Sequence, residues 1–176
     1  MNYPLLNFST ESFDFKLFTN TLEEQQMLEE FKSDDKTKEF LPDFLKYIDE
    51  TQRDLNSDFE PLRYTTIAYF EGRPIGMITL FDANCEYIFS HGIRPSERGN
   101  RFSSRIKREV FDYVFRTIED VEKITVFIDI NNENNLNSLK KLTYDEIHKV
   151  WDPKENKEFY KVSNCNPYLD KNNKFM

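Results

Sequence analysis

Apolar and polar residues alternate in "FDFKLFT" (residues 13–19), which predicts a strand. The period changes at "TLEEQQMLEEFK". Thr21 and Glu24 stand at capping-box spacing, and Met27, Leu28 and Phe31 share one face, so a helix begins there. Phe40, Leu41, Phe44, Leu45 and Ile48 predict a second helix after Asp34 and Asp35. It tolerates Pro42 only in its first turn, where a missing N–H costs nothing. "RYTTIAYF" and "PIGMITLF" flank "EGR" and predict a hairpin with Gly72 in its turn. "CEYIFSHGI" (residues 85–93) is a third strand in series. A helix then runs to about Ile118, with Ile106, Val110, Val114 and Ile118 on its apolar side and Lys107, Arg108 and Asp112 on its polar side. "KITVFIDI" puts Ile124, Val126, Ile128 and Ile130 on one strand face and Thr125, Phe127 and Asp129 on the other. A short helix, "NNLNSLKKL", precedes a closing hairpin made of "YDEIHKVW", "DPKEN" and "KEFYKVS".

The strand–helix–strand unit over 85–130 predicts a right-handed crossover between parallel neighbours, with antiparallel hairpins on either side. The fold class expected is α/β in the α+β sense. A mixed, mostly antiparallel sheet of about seven strands carries helices on both faces. Residues 1–176 suit one domain, with a core over 13–162 and a loose tail over 163–176.

Composition adds constraints. Seventeen phenylalanines and nine tyrosines need a core, which argues against disorder despite 32% charged residues. The formal charge of −8 disfavours a nucleic-acid partner and suits a cationic one. Cys85 and Cys165 are the only cysteines, which suggests a reducing cytoplasm. No apolar run reaches the ~18 residues of a membrane span, so a cytoplasmic protein without a membrane partner is expected. Cys/His metal spacing, a Gly-x-x-x-x-Gly-Lys loop and a nucleophile elbow are absent from the sequence.

One stretch departs from the acidic background. Residues 94–108 hold Arg94, Arg98, Arg101, Arg105, Lys107 and Arg108 against one acid, Glu97, so the remainder of the chain carries −13. They sit where a helix opens directly after a strand, and such a helix start offers free N–H groups to an anion. An exposed basic turn and an anion cradle both satisfy this pattern.

The order of elements and the motif resemble the GNAT superfamily, the acyl-CoA-dependent N-acetyltransferases. In "GIRPSERGNRFSS", Ile93, Pro95, Arg98 and Gly99 fall where that family has an apolar residue, a proline, an arginine and a glycine before its pyrophosphate-binding helix. "NNENNLNSLKKLTY" resembles the family's later box, with Asn132 as its asparagine and Lys141, Leu142, Thr143 and Tyr144 closing it. The likeness covers residues 64–162 most clearly, and the N-terminal helices extend it to nearly the whole chain. Within the family it looks most like the branch of ribosomal-protein-alanine acetyltransferases. The pyrophosphate loop is degenerate, because Arg101 and Ser103 stand where the pattern has glycine or alanine, and Leu139 replaces a common tyrosine acid.

The resemblance implies transfer of an acetyl group from acetyl-CoA to a primary amine, on a peptide N-terminus or a small molecule, by direct attack. A cationic acceptor fits the acidic composition. It implies that Ile93, Arg98, Gly99, Asn100, Arg101, Phe102, Ser103 and Ser104 contact acetyl-CoA, with Asn132 near the pantetheine arm. Candidates for proton transfer are Glu86, His91 and Tyr144. Glu86 lies beside a position from which some members supply a carboxylate base, and His91 titrates nearest neutrality. The departures leave a second reading open, a catalytically degenerate module that binds CoA or a protein. A monomer or homodimer is expected.

Overall fold

The computed structural model describes residues 7–54, 65–82, 86–139 and 143–169. Its elements are β1 (Phe8–Ser9), β2 (Asp14–Leu17), α1 (Leu22–Ser33), α2 (Asp35–Phe40), α3 (Pro42–Asp54), β3 (Thr65–Phe70), β4 (Arg73–Asp82) and β5 (Glu86–Ile93). There follow α4 (Phe102–Thr117), β6 (Lys123–Asp129), α5 (Glu133–Leu139), β7 (Glu146–Asp152) and β8 (Lys157–Cys165). Cys85, Lys141 and Leu142 lie outside the described residues, and of Leu139 only the backbone is described. Among the described residues no helix is long and apolar enough to cross a membrane.

Among the described residues eight strands form one sheet in the order β1-β2-β3-β4-β5-β6-β8-β7. The strand beyond the seven expected is β1, whose two residues are too few to show an alternation. β5 and β6 pair in parallel, with Glu86 opposite Lys123 and Ile88 opposite Thr125, as the crossover requires. β2–β3, β3–β4, β6–β8 and β7–β8 pair antiparallel. The chain gathers into two compact units, one of residues 1–81 and 89–107, the other of 82–88 and 108–176.

In the first unit α1 starts where its capping box places it. The Thr21 hydroxyl accepts from Glu24 N, and the Glu24 carboxylate accepts from Thr21 N. Glu24 is fully buried, and its oxygens also accept from Thr19 and from the Tyr69 hydroxyl. The single helix expected after Asp35 is two. Leu41 leaves the helical region at φ −136°, and Pro42 becomes the first residue of α3. A residue before proline is pushed away from helical angles, and proline itself has no N–H to continue α2.

Met27, Leu28 and Phe31 of α1 and Phe44 and Ile48 of α3 pack with Phe18, Ile67 and Met77 in one buried cluster. Phe31 and Phe44 meet edge to face with centroids 5.2 Å apart. Both rings press on β5 at Gly92, where an added Cβ would lie 2.7 Å from Phe44. His91, the neighbouring residue, points to the opposite side of the strand, where the first turns of α4 lie. Phe102 packs there between Phe13 and Phe70, at 5.9 and 5.0 Å. Helices therefore cover both faces of this unit's strands.

In the second unit Val110, Phe111, Val114 and Phe115 of α4 are buried, as are Ile124, Val126 and Ile128 of β6. The opposite face of β6 is less polar in effect than its residues suggest. Thr125 and Asp129 are buried there, and only Phe127 is exposed. β8 runs on to Cys165, and the Asn166 side chain donates to Val121 O at 2.8 Å, so the segment after 162 begins as ordered strand.

Candidate functional site

The basic stretch is positioned by the end of β5. Arg94 N donates to Ile75 O at 2.9 Å, the last bond before the chain leaves the sheet. Pro95–Glu97 then forms a 3-10 turn, and Gly99 and Arg101 follow with φ of 90° and 60°. Both lie in the left-handed region that favours glycine. Arg101 thus adopts the backbone angle of a glycine, and its side chain is exposed. A Cβ added to Gly99 would meet nothing within 4 Å, so the loop is open at that point.

α4 begins at Phe102, which makes Arg101 its cap residue. Helices usually place Ser, Thr, Asp or Asn there to accept from first-turn N–H groups. A guanidinium has no acceptor, and the Ser104 hydroxyl donates back to Arg101 O at 3.2 Å. Among the described residues no side chain accepts from the first-turn N–H groups, and an anion at this helix start would fill that role. The residues present therefore fit a phosphate-bearing ligand.

The six cations of the stretch are differently placed. Arg94 donates to Glu30 through Nε at 2.8 Å, and Ser96 Oγ donates to the other oxygen of Glu30 at 2.8 Å. The Arg94 hydrogen bonds hold the Glu30 carboxyl below its usual range. Arg98 donates to Asp34 at 2.8 Å and to the Thr37 hydroxyl at 2.9 Å. Burial alone would raise Asp34, but hydrogen bonds from Thr37 and Arg98 outweigh it and keep the carboxyl low. Arg105 lies over three rings, 4.8 Å from the Phe13 centroid and within 6 Å of Phe70 and Phe102. Arg101 and Arg108 are exposed and make no ion pair among the described residues.

Lys107 corrects the sequence reading, which set it on the polar side of the helix. It is 2% exposed. Lys107 is in helical phase with Val110, Phe111 and Val114, so it belongs to the buried stripe. No carboxylate among the described residues pairs with it, and burial pushes its ammonium down to about 8. The signal was present in the spacing, but a lysine inside an apolar stripe reads as an interruption of it.

His91 Nε2 lies 2.7 Å from Ser103 Oγ. Burial, and then the Lys107 charge, hold the imidazole well below its usual 6.5, so it is neutral. Glu86 lies in the second unit. Its carboxylate accepts from the Thr125 hydroxyl and from Lys161 Nζ, the latter at 3.1 Å. Burial would raise Glu86, but these two bonds and the Lys161 and Lys123 charges hold it low. Asn132 Oδ1 accepts from Asn135 N at 3.2 Å at the start of α5, which leaves its Nδ2 to donate. The Tyr144 hydroxyl is buried without a hydrogen-bond partner among the described residues, and burial pushes it up to about 12. The sequence did not reveal Glu30, Asp34 and Thr37 as partners of the loop.

β5 opens into a left-handed loop and α4, and β6 returns parallel to β5, which is the arrangement the resemblance to the acyl-CoA-dependent N-acyltransferases implied. The model of the Acetyltransferase (GNAT) family matches residues 25–144, and the chain belongs to that family. No curated protein matches the chain. Among solved structures, the aminoglycoside N(6')acetyltransferase of Legionella pneumophila is similar at 17% identity and a TM-score of 0.67, over 89% of this chain and 94% of that one. AAC(6')-Ib in complex with paromomycin and acetyl-CoA is similar at 15% identity and 0.66, over 88% and 94%. A spermidine N-acetyltransferase chimera from Vibrio cholerae and hSSAT is similar at 12% identity and 0.63, over 89% and 96%. At these identities the likeness shows the fold.

Proposed function

We propose that the protein transfers an acetyl group from acetyl-CoA to a primary amine. The observation that carries this is Arg101, which takes a glycine's backbone angle with its side chain in solvent, so the loop before α4 stays open. Backbone N–H groups from Gly99 to Ser104 would hold the pyrophosphate, with Ile93 beside them, and the resemblance assigns Asn132 to the pantetheine arm. Arg98 contributes through its backbone, because its guanidinium is bound to Asp34 and Thr37. The acceptor amine, once neutral, attacks the thioester carbonyl and forms the C–N bond; the C–S bond breaks, the nitrogen gives up one proton to solvent, and the leaving thiolate takes one. Tyr144 is the best-suited donor of the three candidates, since its hydroxyl is protonated near neutrality and has no other partner among the described residues.

The acidic composition favours a cationic acceptor, and the similar structures include enzymes named for aminoglycosides and spermidine. Calorimetry with acetyl-CoA at near-physiological salt tests the first step. Thiol release with spermidine, an aminoglycoside and an Ala-terminated peptide tests the second and separates the acceptor classes. Absence of binding at millimolar acetyl-CoA would sink the proposal.

A degenerate CoA-binding module is the second reading. It is favoured by the commitment of Glu86 to Thr125 and Lys161, and of His91 to Ser103, which leaves neither as a free base. Tight acetyl-CoA binding with no thiol release across the amine panel supports it.

A further inference from the structure

Lys107 is a cation 2% exposed to solvent, with no carboxylate beside it among the described residues. Burying an unpaired charge is costly, and a fold keeps one where a ligand supplies the counter-charge or where chemistry needs it. Lys107 is one helical turn after Ser103, so the two side chains leave α4 on the same side. Ser103 is the second residue of the helix and belongs to the loop that fits an anion. His91 reaches Ser103 Oγ from β5 at 2.7 Å. A buried cation, an imidazole, a hydroxyl and an uncapped helix start therefore follow one another within the first unit.

We propose that His91 and Lys107 form a supporting layer under the cradle, in which His91 aims the Ser103 hydroxyl at the donor's phosphates and Lys107 supplies fixed positive charge beneath them. This rests on the acetyl-CoA reading above. With its proton on Nε2, neutral His91 donates to Ser103 Oγ. The hydroxyl's own hydrogen is then free to point at a phosphate oxygen. The other neutral tautomer, with Nε2 as acceptor, or an absent imidazole changes which way that hydrogen turns. Lys107 needs no contact with the phosphates to act, because a charge in a dry surrounding is felt over a longer distance than one in water. His91 and Lys107 are positioning residues; neither has to touch the acetyl group.

The test measures two quantities on each variant, the melting temperature without ligand and the dissociation constant for acetyl-CoA by calorimetry. Lys107→Met removes a buried charge and keeps the volume. The expected result is a higher melting temperature together with acetyl-CoA binding weakened about tenfold or more. A residue with only a structural role would not move the two in opposite senses. Unchanged affinity in a folded Lys107→Met overturns the role given to the lysine. The pair His91→Gln and His91→Phe is read beside it. Glutamine can donate from Nε2 and should retain affinity within about threefold, whereas phenylalanine should lose about tenfold. Equal affinity for both overturns the role given to the histidine. If wild-type protein binds no acetyl-CoA, the reading of the donor itself fails, and that result is distinct from either of the others.

Discussion

Arg98 and Asp34 are joined at 2.8 Å across 64 positions of sequence, and Asp34 is at the same time the cap of α2. Its Oδ2 accepts from Thr37 N at 2.7 Å and from the Thr37 hydroxyl at 2.8 Å. One carboxylate thus starts a helix and holds the loop after β5. Asp34→Ala should cost about 1–2 kcal/mol, most of it from the lost cap. Asp34→Asn keeps the cap oxygen and should cost less than half as much. Urea unfolding of both variants checks the order, and equal losses would refute it.

Arg101 bears on stability as well as on binding. A non-glycine residue at φ 60° carries backbone strain of about 1 kcal/mol. Arg101→Gly should therefore raise the melting temperature by a few degrees and leave acetyl-CoA affinity within about threefold. Arg101→Val should destabilise, because a β-branched side chain fits the left-handed region worst. Calorimetric melting of the three proteins decides this. A glycine variant that melts lower would mean the arginine makes a contact that outweighs its backbone.

Acid stability should fall in two stages. His91 is held neutral in the fold, while an unfolded chain protonates it near 6.5. The unfolded state therefore binds more protons below that pH, and stability falls as pH drops through 6.5. Glu30, Asp34 and Glu86 are held below their usual values. Their contribution is complete above the ordinary carboxylate range and is lost as pH falls through the lowered values. Denaturation midpoints measured from pH 8 to about pH 2 should show both stages. His91→Gln should remove the first and spare the second.

Tyr144 is the group to remove for chemistry. With its phenol raised to about 12, it stays protonated across the neutral range and can give a proton but not take one. Tyr144→Phe should lower kcat by about a hundredfold with little change in the KM for acetyl-CoA. Initial-rate thiol release against acetyl-CoA concentration measures both. A fall in kcat/KM from KM alone would assign the residue to binding.

Most of the fold could be read from local pattern. Thr21 and Glu24 mark the start of α1 to the residue, and Pro42 falls in a first helical turn because it opens α3. The hairpin at Gly72 forms with Glu71 and Gly72 both at positive φ, 51° and 77°. These features depend on neighbours a few residues apart. The site was less legible because its partners are remote. Glu30 and Asp34 reach Arg94 and Arg98 across 64 residues, and no local pattern announces that pairing. The charge count over 94–108 fitted an exposed basic turn and an anion cradle equally. Two of its arginines face carboxylates and a third lies on phenylalanine rings. Lys107 was misplaced for a related reason, since its type argued for solvent while its helical phase argued for the interior.

The interior position of Lys107 sets two selection pressures against each other. A laboratory population selected only for survival of heating should replace this lysine early, with methionine or leucine, because either fills the space without a charge to desolvate. A population selected for retention on immobilised CoA should keep it through the same number of rounds. Reading codon 107 in the two pools would turn the question of why the fold tolerates an inner cation into a count of survivors.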